Sequence, residues 1–273
     1  MSEELQIRLF GEPSLPTLVY LPGLHGDSTM IPAFRAALND RIRFVEITYP
    51  RTLTWNISDY ARAIGEKLCD SGITHGWLLA ESFGSQPAWE LINLSDAATT
   101  SAPPQKHFQV EGLILAAGFV KHPWQRGPGV LKSLGRRTPT AARKAIFRIQ
   151  AACIRLQHGR VPGAVAGAEE FLARRTPLDI QAMRERLALL NDYDPRPIAR
   201  RTAIPVHYLA GCVDPLVPWP IIRSWLRKHC PGYRGGKTMW FSHHNVLLCA
   251  ARSCAKQVLT WMFAASDSRV KIR

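Results

Sequence analysis

The sequence predicts an α/β protein in which a mostly parallel central sheet carries helices on both faces, with one helical segment inserted into it. Short apolar segments of strand length alternate with segments of helical periodicity up to about residue 118, and the alternation resumes near residue 205. Several of the short segments are apolar throughout, as is typical of parallel strands covered on both faces. A chain of 273 residues can bury a sheet of this kind without disulfide bonds.

The first part of the chain contains repeated strand and helix segments. Each predicted strand is a short run rich in apolar and β-branched residues, and each predicted helix has apolar residues three or four positions apart. The predicted strands are Leu5–Phe10, Thr17–Leu21, Arg43–Thr48, Trp77–Ala80 and Leu113–Ala117. The predicted helices lie at residues 31–38, Asp59–Leu68 and Gln86–Leu94.

No strand is predicted between Lys121 and Leu190, where basic residues far outnumber acidic ones and glycine and proline interrupt helix-forming sequence. We therefore expect a basic helical insertion at residues 120–195, between two parts of one α/β core at residues 1–119 and 196–273. The insertion is predicted to contain helices at Ala151–Leu156 and Ile180–Leu190. The predicted elements of the second core part are a strand at Pro205–Ala210, a helix at Pro220–Lys228, a strand at Thr238–Phe241 and a helix at Asn245–Phe263.

Charge and composition restrict the class of protein. The formal net charge of +14 favours anionic partners such as a membrane surface, nucleic acid or an acidic substrate. The six cysteines form no Cys-x-x-Cys pair, so neither a disulfide framework nor a zinc site is expected. The first residues are acidic and polar, and no apolar run approaches the ~20 residues of a membrane span. We therefore expect a cytoplasmic protein, with peripheral contact to a membrane as an open alternative.

Ser82 is the first candidate for chemistry. It stands in the segment Ala80-Glu81-Ser82-Phe83-Gly84, between a predicted buried strand and a predicted helix, which is the context of a nucleophile elbow. The positions two before and two after such a serine must be small because strand and helix crowd them. Gly84 meets this condition, whereas Ala80 departs from the usual glycine. The alternative interpretation is a strand-to-helix turn in which Ser82 only caps the helix.

A serine hydroxyl needs a base to take its proton, and the base is usually a histidine that a carboxylate holds in place. Asp214 follows one predicted strand, and His243 and His244 follow the last one. Because the carboxyl ends of parallel strands meet at one edge of a sheet, we expect these side chains near Ser82. We favour His244 as the base, since it directly precedes Asn-Val-Leu-Leu at the predicted helix start. His243 is its rival and a candidate site-lining residue.

Asp192 and Asp194 are rivals of Asp214 for the role of the acid. Both precede the predicted strand at Pro205–Ala210 instead of following it, and they stand next to a proline. A role at a helix end or in a turn is therefore the favoured interpretation of these two residues.

The segment Leu21-Pro22-Gly23-Leu24-His25-Gly26-Asp27 follows the second predicted strand. It fits the loop that supplies one of two backbone N–H donors to a developing oxyanion, and the N–H of Leu24 is the candidate. The second donor is the N–H of Phe83, which follows the serine. His25 and Glu81 are candidate site-lining side chains. A turn without any further role explains the two glycines equally well.

Four segments together resemble the α/β-hydrolase superfamily. The early loop and the elbow are similar to those of esterase, thioesterase and acyltransferase-like members that act on lipophilic acyl groups. The likeness extends over nearly the whole chain but is diffuse between the motifs. The departures are Ala80, Ser85 where a second glycine is common, and Pro22 where many members have histidine. The segments are Leu-Pro-Gly-Leu-His-Gly-Asp, Glu-Ser-Phe-Gly, Gly-x-x-Asp-x-x-x-Pro (Gly211, Asp214, Pro218) and His-Asn-Val-Leu-Leu.

The resemblance implies the α/β-hydrolase fold and a serine hydrolase that cleaves a carboxylic ester or thioester of a lipophilic acyl group. Ser82, Asp214 and His244 would form its triad, with no metal or organic cofactor, and residues 120–195 would form a cap over the site. Two alternatives stay open. One is a lipid acyltransferase of the same fold, and the other is a non-catalytic protein that binds an anionic lipid or a partner through the basic cap.

The basic residues of the insertion are its least expected feature. They stand in helix-like sequence with apolar residues between them, and such a helix can lie on an anionic membrane surface. They could instead pair with the phosphates of an acyl thioester such as acyl-CoA, or form a solvated surface without a partner. Aromatic residues at stacking intervals are absent there, so no specific nucleic-acid partner is expected. The residues are Arg136, Arg137, Arg143, Lys144, Arg148 and Arg155.

Overall fold

The computed structural model describes residues 4–38, 40–100, 107–122 and 176–270. These residues form a seven-stranded sheet with helices packed on both of its faces. The strands are β1 (Gln6–Phe10), β2 (Thr17–Leu21), β3 (Arg43–Thr48), β4 (His75–Glu81), β5 (Gln109–Ala116), β6 (Val206–Gly211) and β7 (Tyr233–Met239). The helices are α1 (Pro32–Ala36), α2 (Ile57–Asp70), α3 (Ser85–Thr100), α4 (Pro177–Asp192), α5 (Arg196–Arg201), α6 (Trp219–His229), α7 (Val246–Cys249) and α8 (Ala251–Val270).

The strands lie in the order β1-β3-β2-β4-β5-β6-β7. Strand β1 is antiparallel to β3, and all other neighbouring strands are parallel. The predicted fold class is therefore confirmed. Strands β2 and β6 are buried along their whole length, whereas the edge strands β1 and β7 are largely half-buried or exposed. This difference follows from helices that cover both faces of the inner strands.

Alternate side chains of each strand enter two apolar clusters, one on each face of the sheet. In β4, Leu78 and Ala80 pack on the face of α2 and α3, while Trp77 and Leu79 pack on the face of α1 and α8. The register places Ala80 between Leu21 of β2 and Leu115 of β5. The loops that follow β2, β4 and β5 therefore meet at the carboxyl edge of the sheet.

Helices α2 and α4 both begin at capping boxes. The side chain of Asn56 accepts a hydrogen bond from the N–H of Asp59, and the Asp59 carboxylate accepts one from the N–H of Asn56. Thr176 and Asp179 form the same reciprocal pair at α4, where Pro177 is the first helical residue. These contacts satisfy amide groups that a helix leaves unpaired, so both helix starts are specified locally.

Most of the predicted insertion, residues 123–175, lies outside the described residues. The predicted helix Ala151–Leu156 and the six basic residues named above fall in that range, so they stay predictions. The described end of the insertion is α4, which contains the predicted helix Ile180–Leu190. Within the described ranges, no helix combines the length and the apolar character that crossing a membrane requires.

Two predicted elements near the C-terminal end differ from the structure. Strand β7 begins at Tyr233, whereas the strand was predicted at Thr238–Phe241. It contains two adjacent glycines and lies at the sheet edge, so it lacks the apolar run of an inner strand. Phe241 lies in a turn with φ of +58° and is 87% exposed. The single predicted final helix is divided into α7 and α8, because the backbone at Ala250 leaves the helical conformation.

Candidate active site

Ser82 lies in the tight turn between β4 and α3, at the carboxyl edge of the sheet. Its backbone is left-handed, with φ of +50°, which is a strained conformation for a residue with a side chain. A Cβ built on Gly84 would lie 2.3 Å from the carbonyl oxygen of Leu21 and 2.8 Å from that of Pro22. Only glycine fits that position without a shift of the backbone. The turn therefore has the geometry that the elbow motif predicts.

Ala80 fits where the usual pattern has glycine. It is fully buried in the apolar cluster beneath Ser82, between the neighbouring strands β2 and β5. The neighbouring Gly118 is close-packed against this turn, since a Cβ there would lie 3.1 Å from Ser85 Cβ and 3.3 Å from the Ala80 carbonyl oxygen. The methyl group at position 80 is therefore compatible with the turn.

Ser82, His244 and Asp214 form a continuous hydrogen-bonded series. His244 Nε2 lies 2.9 Å from Ser82 Oγ, and His244 Nδ1 lies 2.9 Å from Asp214 Oδ2. The Asp214 side chain is 1% exposed and that of His244 is 11% exposed. A carboxylate only accepts hydrogen bonds, so His244 Nδ1 donates to Asp214, and Nε2 is directed at the serine hydroxyl as its acceptor. The fold thus brings together the three side chains that the sequence analysis selected.

The turn that carries Asp214 fixes the orientation of its carboxylate. Oδ1 accepts hydrogen bonds from the backbone N–H groups of Leu216 at 2.8 Å and Val217 at 3.0 Å. The Trp219 indole donates to the carbonyl oxygen of Cys212 at 3.2 Å and closes the same turn. One carboxylate oxygen is therefore held by the backbone, and the other is directed at His244.

The rival acids lie at the end of α4. Asp192 is the last residue of that helix, and Asp194 accepts hydrogen bonds from the backbone and the guanidinium of Arg196. The prediction of a helix-terminal or turn role for both is confirmed.

His243 contacts a different set of atoms from His244. Its Nδ1 accepts a hydrogen bond from the N–H of Asn245 at 3.3 Å, and its Nε2 lies 3.1 Å from Cys249 Sγ. Because Nδ1 accepts, Nε2 carries the ring proton and donates to the sulfur of Cys249, whose pKa burial raises to about 12. His243 therefore lies against the start of the C-terminal helices.

The loop at residues 22–27, named the oxyanion loop after its predicted role, passes beside Ser82. A Cβ built on Gly23 would lie 3.5 Å from Ser82 Cβ and 3.3 Å from the ring of His25. The N–H of Gly26 donates to the carbonyl oxygen of Gly23 at 3.0 Å, and Gly26 has φ of +83°. Leu24 thus occupies a tight turn next to the serine, and the partly exposed His25 ring lies within the same turn.

Phe83 and Glu81 flank Ser82 and direct their side chains into the protein. The Phe83 ring is fully buried and lies edge-to-face against Tyr49 and Tyr60. The Glu81 carboxylate accepts a hydrogen bond from the hydroxyl of Tyr20 in the cluster on the opposite face. Burial, and then the Glu81 carboxylate, raise the pKa of Tyr20 well above its usual value. The backbone on both sides of Ser82 is therefore held by buried side chains, and a direct role for Glu81 stays a prediction.

His122 is a residue near the site that the sequence analysis missed. Its Nε2 lies 2.8 Å from the carbonyl oxygen of Leu216, in the turn of Asp214, and its ring lies edge-on to Phe119 at 5.3 Å. Burial lowers the pKa of His122 below its usual value. Its place in the segment after β5 could have indicated it, because that segment starts at the carboxyl edge of the sheet.

Arg186 of α4 was also missed. It is 2% exposed and donates a hydrogen bond to the carbonyl oxygen of Leu24 in the oxyanion loop at 2.8 Å. The sequence does contain a signal for its burial. Ala182, Arg186 and Leu190 are four residues apart and form the buried side of the helix.

The arrangement combines a serine hydroxyl, an imidazole directed at it and a carboxylate that holds the imidazole. This combination can transfer an acyl group through a covalent intermediate. Within the described ranges, histidine, cysteine, aspartate and glutamate side chains form no group of three or more that could hold a metal ion.

Comparisons with known proteins find matches among solved structures but not among sequences. No protein-family model and no curated protein sequence matches the chain. Among solved structures, the esterase RhEst1 from Rhodococcus sp. ECU1013 is 17% identical with a TM-score of 0.72, over 96% of this chain and 95% of that one. The enol-lactonase from Burkholderia xenovorans LB400 is 17% identical with a TM-score of 0.71, over 95% and 96% of the two chains.

A hydrolase from Pseudomonas aeruginosa PA01 is 16% identical with a TM-score of 0.73, over 94% of both chains. At such identities the likeness establishes the fold and leaves the activity to be argued from the site. The sheet order, the elbow at Ser82 and these structural neighbours agree with one another. The chain is therefore a protein of the α/β-hydrolase fold.

Proposed function

We propose that this protein is a serine hydrolase that cleaves a carboxylic ester, or a thioester, of a lipophilic acyl group. Ser82 is the nucleophile, His244 is the general base and acid, and Asp214 orients the imidazole. The observation that carries the proposal is the pair of contacts of 2.9 Å that join His244 Nε2 to Ser82 Oγ and His244 Nδ1 to Asp214 Oδ2.

The first half of the reaction forms an acyl-enzyme. Ser82 Oγ attacks the substrate carbonyl carbon while His244 Nε2 takes the hydroxyl proton. Asp214 stabilises the resulting imidazolium. As the tetrahedral intermediate collapses, the bond to the alcohol or thiol breaks, and His244 gives its proton to that leaving group. The acyl group is then an ester of Ser82.

The second half returns the enzyme to its starting state. A water molecule gives a proton to His244 Nε2 and attacks the acyl carbon. Collapse of the second tetrahedral intermediate breaks the bond to Ser82 Oγ, which takes the proton back from His244. The carboxylic acid leaves, and no redox step or additional reactant is needed.

The tetrahedral oxygen anion needs hydrogen-bond donors, and we assign them to the backbone N–H groups of Leu24 and Phe83. Phe83 follows Ser82 directly, and the oxyanion loop passes so near the serine that a Cβ built on Gly23 would lie 3.5 Å from Ser82 Cβ. Removing one such donor typically slows an enzyme about a hundredfold to a thousandfold. The fixed backbone at both positions supports this assignment.

Exposed apolar side chains close in the chain to Asp214 and His244 support a lipophilic substrate. Within the described residues, eight large hydrophobic side chains are exposed, and five of them stand on or next to the segments of Asp214 and His244. Exposed apolar patches commonly mark surfaces that bind apolar ligands. The five residues are Val213, Leu216, Ile221, Trp240 and Phe241. The solved structures of the same fold described as an esterase and an enol-lactonase also fit ester chemistry.

A fluorophosphonate probe tests the nucleophile directly. The probe should label the wild-type protein once and should fail to label Ser82→Ala. Ser253→Ala, which removes an exposed serine of α8, is the matched control and should be labelled like the wild type. If folded wild-type protein takes up no probe, or if Ser82→Ala is labelled equally, the proposed function is wrong.

A series of p-nitrophenyl esters and matching acyl thioesters tests the substrate class. We expect kcat/KM to rise from acetyl to octanoyl substrates, because each added methylene buries more apolar surface. A steady fall with chain length would contradict the lipophilic assignment while leaving the triad assignment in place.

A further inference from the structure

Arg186 is a buried cation in the middle of α4, and its guanidinium connects three parts of the protein. Nη1 donates to the carbonyl oxygen of Leu24 at 2.8 Å, and Nη2 donates to that of Pro50 at 2.8 Å. Nε lies 3.3 Å from the hydroxyl of Tyr60. One side chain therefore joins α4 to the oxyanion loop, to the segment after β3 and to α2.

In the part of the chain that the structure describes, the groups in contact with this guanidinium are carbonyl oxygens, a hydroxyl and aromatic rings. Its guanidinium carbon lies 5.4 Å from the ring centre of Tyr49 and 6.0 Å from that of Tyr60. Among the described residues, no carboxylate oxygen lies within ion-pair distance of Arg186. An arginine cannot lose its charge in a protein, so burying it is unfavourable unless its donors are used. Here the carbonyl oxygens accept hydrogen bonds from the guanidinium, and the aromatic rings lie against it.

Gly26 shows that the oxyanion loop and the guanidinium fit each other closely. A Cβ built on Gly26 would lie 2.6 Å from Arg186 Nη1 and 2.9 Å from the guanidinium carbon. Glycine at this position therefore permits both the left-handed turn and the approach of the arginine.

The hydrogen bonds around Leu24 hold both of its peptide planes. The carbonyl oxygen of Gly23, in the plane that carries the Leu24 N–H, accepts from the N–H of Gly26 at 3.0 Å. The carbonyl oxygen of Leu24, in the next plane, accepts from Arg186. Because a peptide unit is planar, fixing both carbonyl groups fixes the direction of the N–H between them.

We propose that Arg186 is a positioning residue that holds the Leu24 N–H in the direction needed for the oxyanion and couples α4 to that donor. This inference rests on the proposed function, since it presupposes that the Leu24 N–H receives a tetrahedral oxygen. Arg186 acts through the backbone of the oxyanion loop and does not itself touch the substrate.

The test compares Arg186→Met with Arg51→Met. Methionine keeps much of the length of the side chain but donates no hydrogen bond. Arg51 is a matched control because it also anchors α4 to the core, through an ion pair with Asp179. With p-nitrophenyl butyrate, Arg186→Met should lower kcat about 10- to 100-fold with little change in KM, because a displaced donor stabilises only the transition state. Arg51→Met should retain kcat within about threefold, as expected away from the reacting atoms.

An alkyl boronic acid adds a readout that a merely structural role would not change. It forms a tetrahedral adduct with the serine, so its affinity should fall in Arg186→Met by about the same factor as kcat/KM. Arg186→Lys keeps one charged donor and should recover part of both losses. All variants are assayed at a temperature at which circular dichroism shows them folded. Equal kcat and equal boronate affinity in the two methionine variants would overturn the inference.

Hydrogen exchange measured by mass spectrometry tests the same inference without depending on activity. A peptide covering residues 22–27 should exchange faster in Arg186→Met than in the wild type, and Arg51→Met should leave it unchanged.

If the wild type fails to react with a fluorophosphonate, both the proposed function and this inference fail. If it reacts but neither kcat nor exchange responds to Arg186→Met, only this inference fails. Should Arg186→Met not fold, Arg186→Lys takes its place, because one ammonium group cannot reproduce the paired guanidinium contacts and should still lower kcat and speed this exchange relative to Arg51→Met.

Discussion

His243 and His244 are neighbours in the chain, yet their imidazole rings bind different partners. The ring of His244 bridges Ser82 Oγ and Asp214 Oδ2, with both contacts at 2.9 Å. The ring of His243 accepts from the Asn245 N–H and lies 3.1 Å from Cys249 Sγ. The two side chains point in different directions, so only His244 reaches the serine.

This relationship predicts opposite results at the two positions. His244→Ala should lower kcat/KM for a short-chain ester by about a thousandfold or more, because the serine loses its base. His243→Asn can still accept from the Asn245 amide and should lower kcat/KM less than about tenfold. Steady-state kinetics on the two purified variants provides the measurement. If His243→Asn alone abolished turnover, the assignment of the base would be wrong.

Asp214 should show separate effects on rate and on stability. In Asp214→Asn an oxygen can still accept from the Leu216 and Val217 amides, but the amide nitrogen cannot accept the His244 Nδ1 proton. We expect kcat to fall by roughly 10³- to 10⁴-fold with little loss of stability. Asp214→Ala also leaves those two amides without their partner, which costs about 1–3 kcal/mol of unfolding free energy.

Ester hydrolysis and urea denaturation of the two Asp214 variants separate these effects. An Asp214→Asn variant that kept a tenth or more of the wild-type kcat would contradict the orienting role. Equal unfolding free energies of the two variants would contradict the backbone contacts.

Gly84 should tolerate no side chain, in contrast to Gly65 in the middle of α2. A Cβ on Gly84 would lie 2.3 Å from the Leu21 carbonyl oxygen, a backbone atom that cannot move alone. We expect Gly84→Ala to destabilise the protein by about 2 kcal/mol or more and to lower fluorophosphonate labelling of Ser82.

Gly65→Ala is the control for this substitution. The nearest atom to its Cβ would be Cδ1 of the flexible Leu91 side chain, at 3.3 Å. Alanine is also the better helix former, so we expect a change within about 1 kcal/mol. Urea denaturation measures both variants, and similar losses in the two would show that the turn at Ser82 is not close-packed as described.

His207 should make stability depend on pH between about 6.5 and 4. Its ring stacks between Trp77, at a centroid distance of 6.1 Å, and Trp261, at 4.5 Å. Burial, and then the positive charge of Arg234, lower the pKa of His207 to about 4. Above about pH 6.5 the imidazole is neutral in the folded and unfolded states alike, so its contribution to stability is fully present.

As the pH falls from about 6.5 to 4, the unfolded chain binds a proton that the folded protein does not bind. The unfolding free energy therefore falls by at most about 1.4 kcal/mol per pH unit, and below about pH 4 the two states bind the proton equally. His207→Phe keeps an aromatic ring in the stack but cannot titrate. Urea denaturation at pH 7 and pH 5 should show a smaller loss of stability in His207→Phe, and an identical loss would contradict the prediction.

Much of the fold could be predicted because its signals are local in the chain. The strand Thr17–Leu21 is predicted at its observed bounds because it is buried at every position and is apolar from Leu18 onward. Strand β7 was misplaced because an edge strand with Gly235 and Gly236 has no such run. Ala80 departs from the elbow pattern, and only the tertiary structure shows that its methyl group is accommodated in the buried apolar cluster.

The sequence by itself determined the fold class and the order of Ser82, Asp214 and His244, because strand periodicity and the position of a residue after a strand are visible along the chain. The tertiary structure alone decided which of two adjacent histidines meets the serine, and that Arg186 reaches the loop of Leu24. Each of these contacts joins residues 162 positions apart. Such pairs are set by the packing of whole helices and strands against the sheet, which no short segment of sequence encodes.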